Sequence, residues 1–237
     1  MSRGQAVPDV SSTVPVVTID GPSGAGKGTV SRHLASRLGW NLLDSGALYR
    51  LVALAGLRHG LAADERAEHA RLAMALDSRF CAKADGSELI LLDGEDVTAG
   101  VRSEEGGMGA SRVAAWPEVR KSLLARQHAF AAPPGLVADG RDMGTVVFPK
   151  AALKIFLVAS PEERALRRYK QLKGKDSGVS LAALSREIAT RDRQDASRPV
   201  APLVPAEDAV VIDSTRLSVA AVVGCVWRLG KQRALWK

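Results

Sequence analysis

The chain has 237 residues, 46% hydrophobic and 25% charged, enough for one large core or a core domain with a modest insertion. That composition excludes collagen-like, wholly disordered and disulfide-stapled chains, and no apolar run reaches the ~20 residues that span a bilayer. Lys and Arg outnumber Asp and Glu by 33 to 26, a net +7 that suits nucleic acid and small phosphorylated ligands alike.

Residues 1–12 read as a loose tail without a secretory signal. Val14–Ile19 is short, β-branched and apolar on both parities, as a buried parallel strand should be. A glycine-rich turn follows, then a helix over Gly28–Leu38 that Gly39 stops. Asn41–Leu43 predicts a second strand, and Ala47–Gly60 and Ala63–Leu76 predict helices. Ser78–Asp96 looks antiparallel, with Asp85-Gly86 as the turn, and belongs to an insertion with its own small sheet. Helical patterning spans Ser111–Phe130, broken at Trp116-Pro117. Leu136–Ala138, Lys154–Ala159 and Val210–Ile212 are further strands. Ser160-Pro161-Glu162-Glu163 opens a helix with an N-cap serine, proline at the first position and a capping-box glutamate. Leu217–Leu229 closes the chain. Strands alternating with helices predict an α/β fold: a five-stranded parallel sheet between helices, with a small antiparallel β insertion and a helical lid. Cys81 and Cys225 form no disulfide framework, and a reducing, cytoplasmic compartment is expected.

The clearest chemistry lies at Gly21-Pro22-Ser23-Gly24-Ala25-Gly26-Lys27-Gly28-Thr29. It matches G-x-x-x-x-G-K between a strand and a helix, with Thr29 one place later than the usual hydroxyl. Small residues let backbone N–H groups converge on phosphate, and the helix N-terminus adds positive charge. Lys27 then reaches the terminal phosphates and Thr29 lies near Mg²⁺. A plain glycine turn would not need the lysine. The loop alone does not separate a kinase from an ATPase or a GTP switch.

Three further segments are candidates for an acceptor site. Asp44-Ser45-Gly46 ends the second strand, with Tyr49-Arg50 one turn on; the alternative is an N-cap and a packing tyrosine. Asp139-Gly140-Arg141-Asp142 ends the third strand, where a carboxylate can hold Mg²⁺ through water, or the group can form a structural salt bridge. Arg191, Asp195 and Arg198 share a face if helical, and Arg164, Arg167, Arg168 and Lys170 lie upstream. That composition reads as a solvated charge run or as a cationic phosphate clamp. His33, His59, His69 and His128 show no metal-ligand spacing.

These residues resemble the bacterial-type cytidylate kinases of the nucleoside monophosphate kinase group. The matching stretches are IDGPSGAGKGT (Ile19–Thr29), LLDSGALYR (Leu42–Arg50), ADGRDMGTVVFP (Ala138–Pro149), Lys154–Arg168, Arg191–Arg198 and Ala201–Thr215. The resemblance implies transfer of the γ-phosphoryl group of ATP to CMP or dCMP, with Mg²⁺, by a cytoplasmic monomer that engages neither nucleic acid nor membrane. It places Lys27, Arg141, Arg167 and Arg191 in catalysis and residues 21–29 on ATP. It places Ser45, Tyr49, Ser111, Arg120, Asp142, Arg191, Asp195 and Arg198 on the acceptor, and Thr29 and Asp139 near the metal. It implies a core of residues 13–61 and 116–237, an acceptor-binding insertion at 62–115 and a lid at about 160–198. Two departures stand out: the glycine-rich Glu105–Ala110, where a looser pocket wall is expected, and the pair Arg193-Gln194.

The acceptor oxygen of such a reaction is already anionic, so no general base is needed. The work is to offset repulsion between two phosphates and to exclude water with the lid. Competing readings are a UMP or AMP kinase, a nucleic-acid-associated ATPase, a GTP switch, a small-metabolite kinase and a protein with a dead loop. The scarcity of Tyr and Phe argues against the second, the absence of N-K-x-D against the third, and the many acceptor-side arginines against the fourth.

Overall fold

A computed structural model describes residues 14–83, 87–172 and 180–237. The expected turn at Asp85-Gly86, the 1–12 tail and part of the expected lid lie outside these residues.

β1 (Val16–Asp20) is buried at every position, as its two-sided apolar run predicts. It pairs with β6 (Leu136–Gly140) and β7 (Leu153–Val158), while β2 (Asn41–Asp44) and β8 (Val210–Asp213) form the edges. All four pairings are parallel, in the order β2-β6-β1-β7-β8. β1 and β6 pair from Val16↔Leu136 to Asp20↔Gly140, so the phosphate loop and the Asp139–Asp142 loop leave the same end of the sheet. That end is where open α/β sheets bind ligands.

Alternate residues serve opposite faces, following the two-residue period of a strand. Val17, Ile19, Val137 and Ile155 pack under α1 (Lys27–Leu38) and α9 (Val219–Gln232), through Val30, Leu34, Val222 and Val226. Val16, Leu43, Leu136 and Ala138 pack under α2 (Ser45–Arg58) and α6 (Pro117–Ala129), through Leu48, Leu51 and Leu123. Each fully buried leucine or isoleucine here contributes about 1.5–3 kcal/mol of transfer free energy.

The inserted segment contains α3 (Arg66–Ala75), then an antiparallel sheet of β3 (Ser78–Ala82), β4 (Glu88–Leu92) and β5 (Glu95–Asp96). α4 (Thr98–Arg102) and α5 (Glu104–Val113) follow. Ala73, Ile90, Leu92, Val101 and Val113 join the apolar cluster of α2 and α6, so the insertion rests directly on the core. α7 (Pro161–Leu172) and α8 (Leu181–Ala196) complete the helices. The Ser160 hydroxyl accepts from the Glu163 N–H at 3.2 Å, as the capping pattern predicts.

Two local features differ from the sequence expectation. Helix α5 starts at Glu104, well before Ser111, and runs through the glycines because Ser103 caps it by accepting from the Gly106 N–H at 2.9 Å. A π-helical turn at Met143–Val147 was not legible. The buried Asp20 carboxylate organises it by accepting from the N–H groups of Met143 (2.9 Å) and Gly144 (2.8 Å).

Candidate active site

The phosphate loop turns sharply out of β1. Gly21 sits at φ 144°, and a Cβ there would lie 2.0 Å from the Leu157 carbonyl oxygen, so only glycine fits. Gly26, also at positive φ, starts α1. Lys27 is buried, and its Nζ donates to the Pro22 carbonyl at 2.9 Å, so the side chain folds back over its own loop. Burial, reinforced by Arg141, pushes the Lys27 ammonium down to about 7 against the pull of Asp139, Asp195 and Asp20. An anionic ligand would reverse that shift.

A cleft of about 1630 Å³ opens above this loop. Single small-ligand pockets usually occupy about 300–1,000 Å³, so there is room for two nucleotides. Ser23 to Thr29 line it, as do Ser45, Tyr49, Ser111, Arg120, Asp139, Arg141, Asp142, Arg167, Arg191, Asp195 and Arg198. Gly21 and Pro22 do not line it; they form the base of the loop, pressed on β7 and holding Lys27. No histidine enters the cleft: His69 packs edge-on to Trp116, and His128 bonds the Val147 carbonyl at 2.8 Å.

The other end of the cleft, the candidate acceptor site, is built from side chains of many elements. Arg120 of α6 donates to the Asp142 carboxylate and, at 3.1 Å, to the Ala114 carbonyl. Its guanidinium lies 5.7 Å from the Tyr49 ring centroid. Burial pushes the Asp142 carboxyl up, opposed by Arg120 and Arg198. Arg141 Nε donates to Asp195 at 2.8 Å, and Arg198 donates to the other Asp195 oxygen. Burial would raise Asp195, but these two arginines outweigh it and hold the carboxyl low. The nine-tenths-buried Asp139 is pushed up to about 6 by desolvation, against Lys27.

Arg191 and Asp195 lie on the cleft face of α8, as the helical spacing predicts, whereas Arg198 follows just after the helix ends. The solvated-run reading fails for these three. Arg191 Nε and Arg198 Nε are buried and lack hydrogen-bond partners among the described residues. Both residues line the cleft, where an anionic ligand would meet their guanidinium groups. Arg193 and Gln194 are exposed, so that departure falls on the solvent face.

The glycine-rich stretch does not loosen the pocket wall. A Cβ on Gly109 would lie 2.8 Å from Ala53 Cβ, and one on Gly107 would lie 3.2 Å from guanidinium nitrogens of Arg50 and Arg191. The glycines let α5 approach α2 closely and leave room for two arginines.

Sequence reasoning missed Arg102 and the long-range partners of Arg50, Arg164 and Arg167. Arg102 bridges Asp44 (2.8 Å) and Glu88 (2.5 Å), tying the end of β2 to the inserted sheet. Arg50 donates to the carbonyls of Val101 (2.7 Å) and Ser103 (2.9 Å). Both line the cleft. Arg164 joins the Ser23 carbonyl (3.0 Å) to Asp192, and Arg167 joins the Ala25 carbonyl (3.2 Å) to Ser214. Nothing in sequence spacing signals pairs this distant; only the arginine excess hinted at them.

The family model for cytidylate kinase matches residues 17–232. The chain belongs to the cytidylate kinase family. A cytidylate kinase of Pseudomonas fluorescens (strain Pf0-1) is 59% identical over 215 residues, covering 90% of this chain and 94% of that relative. One from Stutzerimonas stutzeri (strain A1501) is 60% identical over 211 residues, covering 89% and 92%. One from Shewanella loihica is 56% identical over 214 residues, covering 90% and 93%. Membership in the cytidylate kinase family makes the chain a phosphotransferase. It favours none of the switch, metabolite-kinase and nucleic-acid ATPase readings. Among the described residues, no helix is long and apolar enough to cross a membrane.

Proposed function

We propose that this chain transfers the γ-phosphoryl group of ATP to CMP or dCMP, with the donor held on residues 23–29 and the acceptor among the arginines across the cleft. The observation that carries this assignment is the convergence of Arg141, Arg191 and Arg198 on the cavity that Lys27 also lines. Two anions that would repel each other in water are met by Lys27, the loop N–H groups and planar arginines that cannot deprotonate. The same charges act on the transferring group, where stabilisation is largest. Because the acceptor oxygen is anionic, the missing cleft histidine costs nothing.

Arg120 and Asp142, buried beside Tyr49 and Ser111, read the base. The carboxylate accepts from the exocyclic amine of cytosine and repels the carbonyl that uracil has there. Ser45 and Asp195 serve the sugar, and Arg141, Arg191 and Arg198, joined by Arg50 and Arg102, serve the acceptor phosphate. Arg167, bonded to the Ala25 carbonyl, acts from the donor side.

Mg²⁺ would enter with ATP. The Thr29 hydroxyl and the Asp139 carboxylate fit it, since both line the cleft and Asp139 Oδ2 lies 3.2 Å from where a Cβ on Gly28 would stand. The ion supplies charge neutralisation on the phosphates. Residues 62–115 form the acceptor-binding insertion on the core of 13–61 and 116–237, and residues 160–198 form the lid. The enzyme works as a cytoplasmic monomer.

Mixing the protein with ATP, Mg²⁺ and each of CMP, dCMP, UMP and AMP, and following ADP release, tests the assignment. CMP and dCMP should turn over fastest. A preference for UMP or AMP would overturn it.

A further inference from the structure

Glu104, the first residue of α5, plays no part in the nucleotide contacts assigned above, yet it sits where the insertion meets both lid helices. Its Oε1 accepts from Arg168 of α7, through Nε at 2.5 Å and through a terminal nitrogen. Its Oε2 lies 4.0 Å from Arg191 of α8. The guanidinium groups of Arg191 and of Arg50 on α2 both crowd the Gly107 position. These cations repel: Arg191 and Arg50 are each shifted down, by burial first and then by neighbouring arginines. Helix α5 itself does not need this arrangement, because Ser103 caps it and the exposed Glu105 also supplies negative charge to its first turn.

We propose that Glu104 is a positioning residue for phosphoryl transfer: it clasps Arg168 and Arg191 of the lid to the acceptor insertion and so holds Arg191 over the acceptor. This rests on the reading of Arg191 as an acceptor arginine. The contact joins residues 64 apart and spans both segments that must come together before transfer. A residue that stabilises only the closed arrangement raises the competent fraction, and apparent acceptor affinity scales with that fraction. The donor loop is bonded from α7 by Arg164 on the Ser23 carbonyl and Arg167 on the Ala25 carbonyl, contacts that Glu104→Gln leaves in place, so ATP binding should not depend on Glu104.

The test is steady-state kinetics of Glu104→Gln, Arg168→Met, their double variant, Glu105→Gln and Arg191→Met. Glu104→Gln and Arg168→Met should each lower kcat/KM for CMP by about three- to tenfold, the net range of a typical intramolecular hydrogen bond, with KM for ATP within about twofold. The double variant should be no worse than the poorer single variant, because one contact is removed twice. Glu105→Gln should match the parent protein. Wild-type kinetics in Glu104→Gln, multiplying losses in the double variant, or equal damage to ATP and CMP would each overturn the clasp. If Arg191→Met is crippled while Glu104→Gln is not, only the clasp falls. If Arg191→Met is itself near wild type, the acceptor reading beneath it falls.

Discussion

The two halves of the cleft that we assign to donor and acceptor are built from different materials. The donor half is one run of nine residues, Gly21–Thr29, built mainly from backbone and one buried lysine. The acceptor half is built from side chains of α2, α5, α6, α8 and the loop after β6, tied by ion pairs such as Arg120–Asp142 and Arg141–Asp195. A local loop can be rigid before any ligand arrives. In the proposed reading, a constellation spread over an insertion and a lid is assembled by closure, which lets acceptor binding complete the site and exclude water.

The comparison breaks most sharply at Lys27. Lys27→Met should lower kcat by about 10³-fold or more while the protein stays folded, since a preorganised charge on the transferring group is lost but a buried cation is also removed. A coupled kinase assay alongside thermal unfolding checks both parts.

On the acceptor half the expected damage is to stability as well as activity. Arg120→Met leaves Asp142 buried without its partner and should cost about 3–5 kcal/mol in denaturant unfolding. The double variant Arg120→Met/Asp142→Leu should recover most of that stability but not CMP turnover. Failure to recover would mean the pair is not the source of the loss.

A pH measurement sharpens the donor half. With Lys27 near 7 in the empty site, the side chain is mostly neutral above that pH, and a bound triphosphate raises it again. ATP binding should therefore take up about one proton at about pH 8 and progressively less as the pH falls through about 6. Calorimetry in buffers of different ionisation enthalpy measures this, and Lys27→Met should abolish the pH-dependent part. A smaller effect is expected where α5 meets α2: Gly109→Val should cost about 1–3 kcal/mol through the clash with Ala53.

The same contrast explains what the sequence disclosed. Val16–Asp20, the glycine loop and Ser160–Glu163 were legible because each rests on neighbours in the chain: a two-sided apolar run, a glycine needed for close approach, a cap three residues from its donor. The Arg102–Asp44 bridge spans 58 residues, and Arg141–Asp195 spans 54, so neither leaves a local signature. The π-helical turn at Met143–Val147 depends on Asp20, more than 120 residues earlier. Glycines 107 and 109 read as slack because composition shows flexibility, whereas only packing shows that the missing Cβ atoms admit Ala53, Arg50 and Arg191.

The central claim is that two phosphates meet end to end between Lys27 and Arg191. A crystal structure of the protein with CMP and a non-hydrolysable ATP analogue tests it most directly. The account predicts the CMP phosphate on Arg191 and its neighbouring arginines, facing a γ-phosphate held by Lys27, with the base against Arg120 and Asp142. A CMP phosphate bound elsewhere, with Arg191 turned to solvent, would contradict it.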